Sequence, residues 1–283
     1  MRCVALLIVI LSANAVRLTS TTLRADETAT EPAVKLWEWG KGIAVESMQA
    51  ERMTVYLWFY EWNMFDARAK GQHTRGSHDG KRTVSPDGRT AVIDTSDMQL
   101  TARAVDDGAE LTLEITNRTG HTWPEVAGII PCFNPGAPSH RAKQYPKAML
   151  NARFDNTNTW YAGKNLLKKL IGRDIHFNAR LRKQVDRKAK GGRFVFSDKW
   201  PTSPDDAHAG LIVRESNDGR WVTGIAWERF LSAQGHNPWS CMHLGVNVGP
   251  LKPKESRTIR GRIYLFPGTR NDAFERFGRA FAD

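Results

Sequence analysis

The sequence predicts an all-β protein: a large antiparallel β-sandwich of the double-sheet kind (supersandwich-like) with one or two short helices. Three observations predict it. Short runs rich in Val, Ile, Thr and aromatic residues recur along the whole chain, turn-forming clusters separate them, and two pairs of runs are spaced as antiparallel hairpins. Many short strands with tight turns imply two packed antiparallel sheets.

In chain order the runs are "VKLWEW" (34 to 39), "MTVYLWFYEW" (53 to 62), "TAVIDT" (90 to 95), "MQLTARAV" (98 to 105), "ELTLEITN" (110 to 117), "GLIVRES" (210 to 216), "RWVTGIAWE" (220 to 228) and "RTIRGRIYLF" (257 to 266). Ser85-Pro86-Asp87-Gly88, Asp106-Asp107-Gly108 and Asn217-Asp218-Gly219 are the turns. The expected hairpins join 98–105 to 110–117 and 210–216 to 220–228. In the run 53–62, alternation sends Val55, Leu57 and Phe59 to one face and Tyr56, Trp58, Tyr60 and Trp62 to the other. Such a strand is either buried between layers or offers its second face as a row of stacking rings. Helices are expected at "GKNLLKKLIGR" (163 to 173), an amphipathic patch, and "NDAFERFGRAFA" (271 to 282). There Asn271 is the expected N-cap and Phe274, Phe277 and Phe281 recur at helical spacing. No internal repeat interrupts the pattern, so residues 34–283 are expected to form one domain.

The first residues set the compartment. Arg2 precedes "VALLIVIL" and then "SANA"; a basic start, a short apolar run and small residues describe a signal peptide, residues 1–15, followed by a polar leader, 16–33. The apolar run is too short to span a bilayer. A secreted or periplasmic location is expected, with no transmembrane segment after cleavage. Loss of Cys3 leaves Cys132 and Cys241 in an oxidising space, where two cysteines either bridge or stay free.

The formal net charge is +11, and it is local. Between Lys164 and Arg193 eleven Lys and Arg stand against Asp174 and Asp186. Lys168, Lys169, Arg182 and Lys183 are the candidate contacts of this segment to a polyanion. In an exported protein an acidic or sulfated glycan or an anionic cell surface fits better than nucleic acid, for which no motif is present. A solvated face with no partner is the plain alternative.

Motifs with a fixed chemistry are absent: no Gly-x-Ser-x-Gly, phosphate-binding loop, His-Glu-x-x-His or Cys-x-x-Cys. What remains is three loop-like stretches that mix His, Trp, Asn and Pro, namely residues 117–136, 154–163 and 235–243. They set Trp123 beside His121 and Glu125, Trp160 beside Asn158 and Tyr161, and Trp239 beside His236 and His243. Aromatic faces next to hydrogen-bonding side chains suit a sugar pocket. Within it His236, His243 and Glu125 are the candidate acid and base, and His121, Trp123, Asn158, Trp160, Tyr161 and Trp239 the candidate ligand contacts. For "GHNPWSCMH" (235 to 243) four readings stay open. A zinc site would need a fourth ligand from His121 or His140, and a Cys241 nucleophile would need an activated thiolate. A Cys132–Cys241 bridge at the rim of a pocket is the most economical of the four and calls for neither a metal nor a cofactor.

The ending "VGPLKPKESRTIRGRIYLFPGTRNDAFERF" (248 to 277) resembles the last strands of galactose-mutarotase-like and related carbohydrate-active sandwiches. "WPEVAGIIPCFNPG" and "SAQGHNPWSCMHLG" resemble parts of secreted bacterial proteins of that fold class. The resemblance implies a double-sheet sandwich and a carbohydrate ligand; the family's His acid and carboxylate base are not carried onto particular residues. The expected function is a secreted protein that binds or processes carbohydrate, or else a non-catalytic module that binds acidic polymers through residues 164–193.

Overall fold

Period-two alternation is visible wherever a strand has one face in the core, and it decides which way each side chain points. In the computed structural model the described residues are 32–40, 42–49, 53–65, 67, 80–136, 153–189, 200–236 and 239–282. The expected signal peptide, most of the expected leader and His140 lie outside them. Residues Pro32–Asp283 make one compact unit. No helix among the described residues is long and apolar enough to cross a membrane.

The strands are β1 (Val34–Trp39), β2 (Gly42–Ser47), β3 (Met53–Met64), β4 (Lys81–Val84), β5 (Thr90–Asp94), β6 (Met98–Val105), β7 (Gly108–Thr116), β8 (Gly128–Asn134), β9 (Thr159–Ala162), β10 (Leu167–Lys169), β11 (His176–Phe177), β12 (Leu211–Glu215), β13 (Trp221–Trp227), β14 (Phe230–Gln234), β15 (His243–Asn247) and β16 (Ser256–Pro267). Two helices join them, α1 (Arg182–Lys188) and α2 (Arg270–Ala280). The strands form a seven-stranded sheet in the order β1-β2-β3-β8-β15-β14-β11 and a nine-stranded sheet in the order β10-β9-β12-β13-β16-β7-β6-β5-β4. The paired strands of both sheets run antiparallel, including the expected hairpins β6–β7 and β12–β13.

The core fills the space between the sheets. From the nine-stranded sheet come Leu100, Ala102, Leu111, Leu113, Ile115, Ile225 and Ile263, and from the other Leu36, Val45, Val55, Leu57, Ile129, Phe133, Leu244 and Val246, all buried. Residues between them point outward, as Gln99, Arg103, Thr112 and Glu114 do. Each buried Leu, Ile or Phe contributes roughly 1.5–3 kcal/mol by leaving water.

Two local rules shape what lies outside that core. Pro131, inside β8, has no N–H to give the ladder. There the pairing of β8 with β3 jumps from Trp58↔Cys132 to Trp62↔Ile130. Four steps on β3 therefore face two on β8, and Phe59, Tyr60 and Glu61 bulge. The bulge breaks the expected alternation beyond Trp58: Tyr60 joins the core with Phe59 and Trp62 packs into a separate apolar cluster. Before it, Tyr56 and Trp58 keep the expected outer face, opposite Asn134 and Cys132, where Tyr56 packs on Trp39 at 5.4 Å.

The second rule is capping. The N-cap of α2 is Thr269, not Asn271, because Thr269 and Asp272 complete a reciprocal capping box. Its Phe274, Phe277 and Phe281 pack on the outside of the nine-stranded sheet against Val213, Val222, Tyr264 and Phe266. The helix expected at 163–173 is instead the hairpin β9–β10, with Leu167 opposite Ala162. Asn165 at φ 61 and Gly172 at φ 76 are left-handed turn residues that a helix does not accept. The hairpin leaves Leu166 and Ile171 exposed.

The basic segment is less available than its charge count suggests. Arg182 gives Nη1 to Asp206 at 2.9 Å and Nε to Asp186 at 3.1 Å, and Lys168 lies 3.7 Å from Asp205. Lys169 and Lys183 are exposed. Two of the four expected polyanion contacts are thus tied to carboxylates of their own chain, Asp205 and Asp206 beyond the segment and Asp186 inside it.

Candidate functional site

On the face of the seven-stranded sheet turned away from the core, four ionisable side chains converge. Cys132 and Asn134 share that face of β8, since Phe133 between them points into the core. His243 opens β15, and Cys241 precedes it in a segment fixed to β8 by the Phe133↔Met242 bridge. Glu61 comes from the β3 bulge. The sulfurs of Cys132 and Cys241 stand 2.9 Å apart, and His243 Nε2 lies 3.1 Å from Glu61 Oε2. The ligand atoms of Cys132, Cys241 and His243 lie within 4.8 Å of one another. His243 Nδ1 lies 2.8 Å from Gln234 Oε1, and Asn134 Nδ2 reaches both the Trp239 carbonyl at 3.1 Å and the Cys241 sulfur at 3.7 Å.

Cys132 and Cys241 are the expected pair, brought together from positions 109 residues apart. They carry no bond to one another in the structure, and at 2.9 Å the two sulfurs stand within a small shift of the expected bridge, whose S–S bond takes about 2.05 Å.

The electrostatics separate the four groups. A hydrogen bond from Cys132, helped by His243, outweighs burial and brings the Cys241 thiol down to about 6. The same contact and burial push Cys132 up. Burial opposes charge on His243, but hydrogen bonds to Cys241 and Glu61 win and raise it to about 10. The Cys241 thiol is thus the more acidic of the pair and the His243 imidazole the more basic group, with both sulfurs buried and His243 and Glu61 only partly exposed.

Arg214 stands behind the loop that carries Cys241. It is fully buried, and its Nε donates to Thr159 Oγ1 at 2.7 Å, Nη1 to the Ser240 carbonyl at 3.0 Å and hydroxyl at 2.9 Å, and Nη2 to Asn156 Oδ1 at 2.9 Å. Burial lowers its pKa to about 10, with Cys241 and Asp155 opposing the fall through their charge. It remains a cation at neutral pH and fixes Ser240, itself at φ 60, between Trp239 and Cys241. The Trp239 ring is 41% exposed and meets Trp200 edge-on at 6.1 Å.

The nine residues expected to line one pocket do not come together. Trp123 is wholly buried in the core, where its strand bridges Leu251 and its Nε1 donates to Thr119 Oγ1 at 3.2 Å. His121 and Glu125, on either side, are exposed. Glu125 accepts from Gln184 at 3.3 Å, beyond the Gly128 end of β8, and Gly128 to Cys132 alone spans about 13 Å at the usual strand rise. Trp160 lies under α2 on the other sheet, with Arg270 at 4.5 Å and Lys169 at 5.7 Å from its ring. Asn158 bonds Asn217 at 3.4 Å. His236 is half-buried, two residues beyond Gln234. A Trp with polar neighbours in sequence is therefore no guide to its direction in a sandwich, where adjacent residues point to opposite faces.

Tyr161 is buried with its ring 4.2 Å from His176. His176 Nδ1 lies 2.9 Å from the Asp205 carbonyl, while Nε2 is buried with no hydrogen-bond partner among the described residues. Burial lowers its pKa, and Lys168 adds to that, against the Asp205 carbonyl and the charges of Asp174 and Asp205. A base with a depressed folded pKa is penalised once the unfolded chain protonates, so stability should fall as pH drops below about 6.5. The melting temperature measured from pH 7.5 to 5 should decline more steeply for the native chain than for His176→Asn, whose amide still reaches the Asp205 carbonyl. Equal slopes would refute the assignment.

Glu61, Gln234, Asn134 and Arg214 are functional candidates that the sequence reading missed. Glu61 and Arg214 carried a signal, Glu61 as a lone charge inside the apolar run "YLWFYEW" and Arg214 as a charge directly after the apolar "LIV". No family model matches the chain, and no curated protein matches it in sequence. Among solved structures, it is similar to a polysaccharide lyase (10% identity, TM-score 0.41, 86% of this chain and 34% of that one). It is similar also to a galactose mutarotase-related enzyme from Lactobacillus acidophilus (9%, TM-score 0.44, 84% and 98%) and to a galactose mutarotase-like protein from Lactobacillus casei (9%, TM-score 0.40, 82% and 100%).

Proposed function

We propose that this chain is an exported carbohydrate-binding protein whose ligand lies over the Glu61–Cys132–Cys241–His243 centre. The observation that carries the reading is the exposed Trp239 ring beside Trp200, directly next to a group of acids, bases and thiols on an outer sheet face. A sugar presents CH faces that pack on such rings and hydroxyls that need donors and acceptors below. The sequence resemblance at 248–277 supports the same ligand class, and the N-terminal signal supports a secreted or periplasmic location. Trp58 and Asn134 complete the surround on β3 and β8. Trp123 and Trp160, expected as ligand contacts, and Glu125, expected as an acid or base, lie away from this centre and take no part in it.

Trp239→Ala tests this directly, because the ring is exposed and its loss leaves the core untouched. Glycan binding should weaken by roughly 0.5–1.5 kcal/mol, the range of an aromatic contact beyond its buried area, or about 2- to 13-fold in Kd, with an unchanged melting temperature. Unchanged affinity across a neutral and acidic glycan panel in the folded variant would remove the reading.

A further inference from the structure

We propose that Cys132, Cys241 and His243, with Glu61 as the fourth donor, form a binding site for a zinc-like divalent cation. Their three ligand atoms already lie within 4.8 Å of one another, and Glu61 Oε2 lies 3.1 Å from His243 Nε2. Two thiolates, an imidazole and a carboxylate are the donor types that zinc takes in four-coordinate sites. Three neighbouring strands hold them: Glu61 on β3, Cys132 on β8 and His243 on β15, with Cys241 just before it.

The surroundings of the cluster are those of a ligand set. Gln234 Oε1 takes the Nδ1 side of His243 at 2.8 Å, and the Gln234 amide nitrogen is itself turned to the Arg173 carbonyl at 3.4 Å, which fixes the oxygen toward the ring. The histidine therefore offers Nε2 to the centre, the second-layer contact that orients metal-bound imidazoles. Arg214, a buried cation acting on Cys241 through its charge, balances part of the excess negative charge of two thiolates and a carboxylate around one dication. Tetrahedral bonds of about 2.3 Å to sulfur set the sulfurs about 3.7 Å apart. The present 2.9 Å opens to that by less than about 1 Å, with Cys241 on a loop rather than in a strand.

The site underlies the proposed sugar site but does not depend on it: zinc uptake and glycan affinity are read separately, and either can fail alone. The full mature chain, purified with reductant, loaded with zinc and dialysed against metal-free buffer, should retain one zinc per chain by elemental analysis. Cobalt in its place should give a thiolate-to-cobalt charge-transfer band. Cys241→Ser should weaken that band to the intensity of a single thiolate and lower zinc affinity by more than the 10- to 100-fold expected of the second-layer variant Gln234→Ala. Gln234→Ala keeps the ligand set, so it also answers if the cysteine variant does not fold. No zinc retained by the reduced native chain, a cobalt spectrum without thiolate character, or uptake that is unchanged in folded Cys241→Ser each overturns the proposal. So does a Cys132–Cys241 disulfide that reforms in the presence of zinc and excludes it.

Discussion

Arg214→Ala will destabilise the protein by about 3–5 kcal/mol, the combined cost of an unfilled cavity and of buried oxygens left without donors. Arg214 supplies four hydrogen bonds to Thr159, Ser240 and Asn156, and Thr159 and Ser240 are themselves fully buried. Against a typical domain stability of about 5–15 kcal/mol, that loss leaves a marginal fold. Arg214→Lys, with one nitrogen in place of three, should recover only part of the loss. Urea unfolding of the three proteins measures it. A loss under about 1 kcal/mol for the Ala variant would show that the guanidinium is not what holds the Ser240 loop.

Trp123→Ala will cost a further group of contacts, about 3–5 kcal/mol for a large aromatic removed from a packed interior. The ring is wholly buried, and its strand is tied to Leu251 by reciprocal backbone bonds of 2.9 and 3.4 Å. His121→Ala and Glu125→Ala, exposed on either side, should stay within about 0.5 kcal/mol. This triplet separates a core tryptophan from a ligand contact: thermal melts should show one large drop and two near-zero shifts. A Trp123 variant that melts like the native chain would place the ring outside the core.

The fold was legible where a strand alternates between core and solvent, as β6 and β7 do, or is a β-branched and aromatic run flanked by turn formers, as β12 and β13 are. β6, β7, β12, β13 and β16 fall within two residues of where the sequence puts them, and so do their turns. β8, β14 and β15 were not foreseen, since "GIIPCFN", "FLSAQ" and "HLGVN" neither alternate nor make an unbroken β-branched run, the first being interrupted by Pro131. Those same strands carry the site. Cys241, His243 and Trp239 were legible as chemistry, because few stretches offer thiol, imidazole and indole in nine positions, and Cys132 as the one other thiol left after Cys3 in the expected signal. Glu61 was not, because the β3 bulge that aims it depends on Pro131, seventy residues away in the chain, denying the ladder one donor.

The order of the strands has a consequence for how the molecule behaves in a crowd. Each sheet ends in two edges where another chain could add itself, and these edges are blunted. β10 is three residues long and two of them are lysines, β11 is two residues long, and β4 begins with Lys81-Arg82. β1 is longer, but the Ser85–Gly88 turn folds over it and Gly88 gives its carbonyl to the Leu36 amide at 2.8 Å. Among the described residues, two sheets built this way leave little open backbone from which strand-to-strand aggregation can start.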